Sequence, residues 1–220
     1  MMPVNITSAD EHTSYHPRTS LAVSVSKIGW GWLRHIAIAI PLSYLLALSA
    51  QVRAPVPFSP VPVTAQTLVV LLAGALLPRP YIWSSFGLYL LAGSAGLPYF
   101  AGALHRFAGS SLMGPTGGYL VGFVVGATAV SLLMEKGWGQ HPAGTLHRCM
   151  GVFLALLTGN VLIYLVGLPW LALFVGLKRV LMLGFLPFVI GDLLKLICAL
   201  CIVLARNRLW ERRGVAWTAR

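Results

Sequence analysis

Between Trp30 and Ala205 the chain reads as six apolar stretches, with most of the charge held in the connectors between them. The stretches run over about Trp30–Ala50, Thr64–Leu77, Tyr81–Leu97, Gly117–Met134, Val152–Val175 and Leu186–Ala205. A helix needs about 20 apolar residues to cross the hydrocarbon core of a bilayer, so no other feature limits the fold as tightly. The second stretch is short for a full crossing and is expected to sit partly within the protein. Composition points the same way. Charged residues make up 10% of the chain and hydrophobic ones 57%, whereas a soluble domain is about a quarter charged. With a mean hydropathy of +0.80, these values argue against a water-soluble enzyme and against a disordered chain. The expected architecture is an all-α integral membrane domain of six transmembrane helices.

The connectors supply orientation. Six crossings put both termini on one side, and that side carries Arg18, Lys27, Arg34, Arg79, Lys136, Arg148, Arg206, Arg208, Arg212, Arg213 and Arg220. The other side carries Arg53, Arg106, Lys178 and Arg179. This asymmetry predicts cytoplasmic termini by the positive-inside rule. It also accounts for the net charge of +11 without a nucleic-acid partner. Residues 1–27 read as a polar, largely unstructured cytoplasmic tail, 28–206 as the membrane domain and 207–220 as a basic cytoplasmic tail. Pro55, Pro57, Pro60 and Pro62 break any helix between the first two spans. Trp30, Trp32, Trp83, Trp138, Trp170 and Trp210 fall near span ends, where amphipathic rings favour the headgroup region.

Against this background a few polar residues stand out. Asp192 and Lys195 lie inside the last stretch, where each would cost roughly 2.5–3.5 kcal/mol at a helix centre. At i and i+3 they share a helix face and partly neutralise each other. A functional site is the default reading of such ions, and a packing salt bridge the alternative. The expected depth is about two turns into the span for Asp192 and three for Lys195. The segment Gly96–Gly118, GLPYFAGALHRFAGSSLMGPTGG, reads as a structured outer loop between the third and fourth helices. Its glycines permit close backbone approach to a ligand, and Tyr99, Phe100, Phe107 and Tyr119 offer flat apolar surfaces. Gln66, Thr67, Thr158 and Asn160 can hydrogen-bond between helices.

Two stripes of small residues, Ala39–Ser43–Ala47 and Gly118–Gly122–Gly126, allow close helix packing. Internal packing is the simpler reading for the second, and docking onto another membrane protein fits the first equally well. His105 and Arg106 read as solvated loop residues, and His141 and His147 lie far from any cluster that would bind a metal. Cys198 and Cys201 have redox-type spacing but no polar neighbour to activate a thiolate. No GxxxxGK[ST], GxSxG or HExxH motif is present, so nothing marks the chain as an ATPase or other enzyme.

Three segments carry a resemblance: PFSPVPVTAQTLVVLLAGALL at Pro57–Leu77, GLPYFAG with GPTGGYLVGF at Gly96–Phe123, and PFVIGDLLK at Pro187–Lys195. In these the chain resembles BioY, the biotin-binding S component of energy-coupling factor (ECF) vitamin transporters. The resemblance covers nearly everything after about residue 30. It implies an S-component-like bundle in the cell (inner) membrane that captures biotin from outside and performs no chemistry on it. No cofactor is expected, since biotin is the transported ligand. The family's aspartate and lysine at the biotin site map onto Asp192 and Lys195, and the aromatic after GPTGG maps onto Tyr119. Thr116, Gly117, Phe100, Asn160 and Gln66 complete the expected substrate-binding set. The family's contact with its shared transmembrane T component maps onto Ala39, Ser43 and Ala47, with serine in place of the usual central alanine. Implied partners are biotin, membrane lipid, the T component and ABC-type ATPase subunits, and a homo-oligomer stays open. The competing readings are an S component for another vitamin and a small intramembrane enzyme using Asp192 and His105.

Overall fold

A computed structural model describes residues 18–101, 112–140 and 144–212, with side chains from Trp32 to Trp210. Met1–Ile36 and Ala37–Arg220 are separate compact units. The first helix, α1, covers Arg18–Gln51, so it begins within the stretch read above as an unstructured tail. The remaining elements belong to the second unit.

The Pro-rich connector folds into a minimal antiparallel hairpin, β1 (Arg53–Ala54) and β2 (Val63–Thr64), with Arg53 opposite Thr64 and Ala54 opposite Val63. Helix α2 (Gln66–Leu76) follows directly. Pro78 and Pro80 then open α3 (Arg79–Ser94), because a helix start needs no N–H from its first residues. Helix α4 covers Gly117–Glu135 and α5 Thr145–Val175. Gly176, at φ +81°, ends α5 in a conformation that disfavours a Cβ. Beyond it lie α6 (Leu177–Gly184) and α7 (Val189–Arg212), joined by a bend of 48°.

Helices α4 and α5 form the centre, with α2 packed against α4 and α7. Their close approach is built on glycine. A Cβ at Gly126 would lie 2.7 Å from the Gly159 carbonyl oxygen, and one at Gly122 2.9 Å from that of Ile163. Internal packing is therefore what the glycine stripe provides. One apolar cluster includes Val70, Phe86, Phe123 and Ile163, and a second includes Leu71, Val130, Leu156 and Leu196. Arg79 pairs with Glu135 at 3.0 Å, and Ser131 donates to the Leu77 carbonyl at 2.9 Å. Together they tie the α2–α3 turn to the end of α4.

The expectation of six full-length spans needs correction. Trp32–Gln51, α4 and α5 are long and apolar enough to cross a membrane, and the bent pair α6–α7 makes a fourth candidate. Among the described residues six full-length spans are not found, because α2 has 11 residues and α3 has 16. The connector after α5 contains α6. Finally, Ala39, Ser43 and Ala47 face into the protein at 7%, 1% and 5% exposure. Small residues let this face of α1 pack within the chain, and Ile40, Tyr44 and Leu48 occupy the exposed face instead.

Candidate ligand-binding site

The second unit holds a pocket with about 590 Å³ of empty space, counting its open mouth. The hairpin contributes Val61, Pro62 and Thr64, the start of α2 gives Gln66 and Thr67, and Phe100, Ala101 and Thr116 come from the loop before α4. Tyr119, Leu120 and Phe123 line it from α4, Ile163 and Tyr164 from α5, Phe188 from just before α7, and Asp192 and Lys195 from the first two turns of α7. The wall is mostly apolar with a few convergent polar groups, the arrangement that buries a ligand's rings and fixes its polar atoms.

The polar centre is Asp192. Its Oδ1 accepts from Lys195 Nζ at 2.8 Å, and its Oδ2 accepts a short hydrogen bond from the Tyr164 hydroxyl. The two ionic side chains are 7% and 15% exposed. Helix α7 begins at Val189, so Asp192 sits in its first turn. The positive end of the helix dipole favours a carboxylate there. The sequence placed this pair two to three turns inside a longer span. The bend at residues 185–188 shortens the helix and brings the pair to its start.

Around this centre the walls are braced. Gln66 donates through Nε2 to the Leu46 carbonyl at 3.3 Å and to the Tyr89 hydroxyl at 2.8 Å. Because the Leu46 carbonyl can only accept, the amide nitrogen is fixed there, and the side-chain carbonyl is the group Gln66 can offer a ligand. Phe100 is 1% exposed and meets Tyr89 edge-on at 5.5 Å. Gln51 donates to the Pro98 and Phe100 carbonyls at 3.1 and 3.3 Å, which holds that segment in place. Tyr119 donates its hydroxyl to the Gly184 carbonyl at 2.9 Å. It therefore lines the pocket with its proton committed to the end of α6.

Six of the eight candidate residues line the pocket: Asp192, Lys195, Tyr119, Thr116, Phe100 and Gln66. Gly117 and Asn160 do not. A Cβ at Gly117 would meet the Leu112 carbonyl oxygen at 1.9 Å, so that glycine serves a close backbone contact. Asn160 is buried one helical turn before Tyr164, and its Oδ1 has no hydrogen-bond partner among the described residues. Tyr164 was missed, because a tyrosine in an apolar span equally suits a membrane interface. Thr64, Phe123 and Phe188 were also missed, and nothing local distinguishes them. His105, Arg106, Phe107 and His141 lie outside the described residues.

Fold and site together define a multi-pass helical membrane protein with an open, mostly apolar pocket between its helices, its hairpin and the loop before α4. The chain belongs to the BioY family, which its residues 17–212 match. A relative from Pyrococcus horikoshii, named a probable biotin transporter BioY, is 36% identical over 72% of this chain and 86% of its own length. The biotin transporter BioY of Thermotoga maritima is likewise 36% identical, over 72% of this chain and 88% of its own length. Among solved structures, the S-component for biotin from an ECF-type ABC transporter superimposes with a TM-score of 0.69 at 23% identity. That match covers 81% of this chain and 93% of the other and shows a shared fold.

Proposed function

We propose that this protein takes up biotin across the cell membrane as the substrate-binding S component of an ECF-type transporter. The observation that carries the reading is the Asp192–Lys195–Tyr164 cluster at the wall of an apolar pocket, in a chain of the BioY family. Related chains named as biotin transporters support the choice of ligand. Biotin carries a ureido ring with two N–H donors and one carbonyl, an apolar thiophane ring and a carboxylate on an alkyl chain. Asp192 accepts from the ureido N–H groups and Lys195 donates to the ureido oxygen. The Gln66 carbonyl offers a further acceptor. Tyr119, Phe100 and Phe123 enclose the rings.

In this reading α1 to α5 and the bent pair α6–α7 make six crossings, with both termini in the cytoplasm. The short α2 is completed by the hairpin and by its neighbours, which satisfy its ends inside protein rather than in lipid. Energy for concentrative uptake comes from a T component and ATPase subunits, since this chain carries no nucleotide-binding motif. The test is uptake of labelled biotin by cells that lack biotin transport of their own. Expression of this chain with a T component and ATPases is expected to give accumulation above the external concentration, abolished by Asp192→Asn. Accumulation equal to that of empty cells would refute the reading.

A further inference from the structure

The charge balance of the pocket poses a question that the hairpin register answers. Asp192 and Lys195 are the two ionised groups on its described wall, they pair with each other, and their charges sum to zero. Among the described residues, a monoanionic ligand therefore finds no free cation on that wall. Its carboxylate is also disfavoured beside the Asp192 carboxylate, where like charges meet in a poorly solvated space.

Arg53 is exposed, and among the described residues its side chain has no ion-pair or hydrogen-bond partner. It stands directly opposite Thr64 in the antiparallel hairpin, and Thr64 lines the pocket. Directly opposed residues in such a pair project from the same face, with Cβ atoms about 4.5–5.5 Å apart. The alternate pair, Ala54 and Val63, takes the other face, where Val63 lies 3.7 Å from where a Gly191 Cβ would be. The backbone bond from Ala65 N to the Val52 carbonyl, 3.0 Å, extends the pairing and fixes this register.

From this we infer that Arg53 is a specificity-determining residue that holds the ligand's carboxylate at the rim of the pocket. The inference rests on the biotin reading above and sets the ligand's orientation: ureido ring inward against Asp192, valerate chain outward along the hairpin. Arginine suits the role because its planar fork matches a carboxylate bidentately and it stays charged at all working pH values.

The test compares equilibrium binding of biotin and of its neutral primary amide, biotinamide, to the purified full chain, Arg53→Gln and Arg53→Lys. The unaltered protein is expected to favour biotin over biotinamide by about tenfold at low salt, as for a charge-assisted hydrogen bond at a partly wet site. That preference should shrink as ionic strength rises. Arg53→Gln should erase it by weakening biotin alone, and Arg53→Lys should restore part of it. Equal binding of the two ligands by the unaltered protein, or an unchanged preference in Arg53→Gln, would overturn the role of Arg53 while leaving biotin as ligand. Binding of neither ligand by folded, unaltered protein would overturn the biotin reading itself, and this inference with it.

Discussion

Asp192 owes its place in an apolar helix to its two donors, Lys195 Nζ at 2.8 Å and the Tyr164 hydroxyl. Removing one member of a buried ion pair leaves the other uncompensated, at a cost of about 3–5 kcal/mol. Lys195→Ala should therefore lower thermal stability in detergent strongly. The double variant Asp192→Asn/Lys195→Met should be distinctly more stable than Lys195→Ala, because no lone charge remains. If the single and double variants melt together, the pair is not the source of the cost. Tyr164→Phe should weaken biotin binding about tenfold, as expected for one hydrogen bond to a charged group, with a smaller stability loss than Lys195→Ala; titration calorimetry and thermal melting separate the two effects. At this scale the sequence was informative only where chemistry contrasts with its surroundings. A carboxylate in an apolar run is conspicuous, so Asp192 was legible. Tyr164 was not, because tyrosine also suits a membrane interface. Nor could the sequence show that the Tyr119 hydroxyl is spent on the Gly184 carbonyl, a contact between residues 65 apart.

Among the elements, the α4–α5 seam carries the most specific packing. Gly126→Val should be destabilising, by about 1–3 kcal/mol or more from overpacking, because its Cβ position lies 2.7 Å from backbone and 2.9 Å from the Ile163 side chain. Gly87, inside α3 with nothing within 4 Å of its Cβ position, is the matched control. Gly87→Ala should be neutral or stabilising by up to about 1 kcal/mol through helix propensity. Equal melting temperatures for the two variants would contradict this account of the seam. The seam was legible because small residues spaced by four leave a trace in any sequence. The stripe of Ala39, Ser43 and Ala47 left the same trace, yet spacing alone does not say which neighbour receives a face. Helix α6 was illegible for another reason. Eight residues containing Lys178 and Arg179 do not register in a window sized for membrane spans, and only Val180 and Gly184 turn inward.

For the whole molecule, the proposed orientation rests on the distribution of lysine and arginine, a property no single segment carries. Tags at the two termini should both be digested from the cytoplasmic face and both be protected in intact cells; opposite accessibility would require an odd number of crossings. Apolar length overestimated how many helices are long enough to cross the membrane. The short α2 and α3 depend on neighbours brought close only by the fold. The central claim is that this assembly binds biotin at the Asp192–Lys195 cluster. Equilibrium binding of labelled biotin to the purified protein in detergent, beside Asp192→Asn and Lys195→Ala, tests it most directly. The account predicts tight binding that both variants lose, with Asp192→Asn still folded by thermal melting. Tight binding unchanged in folded Asp192→Asn would place the site elsewhere, and no binding by a folded parent would contradict the account altogether.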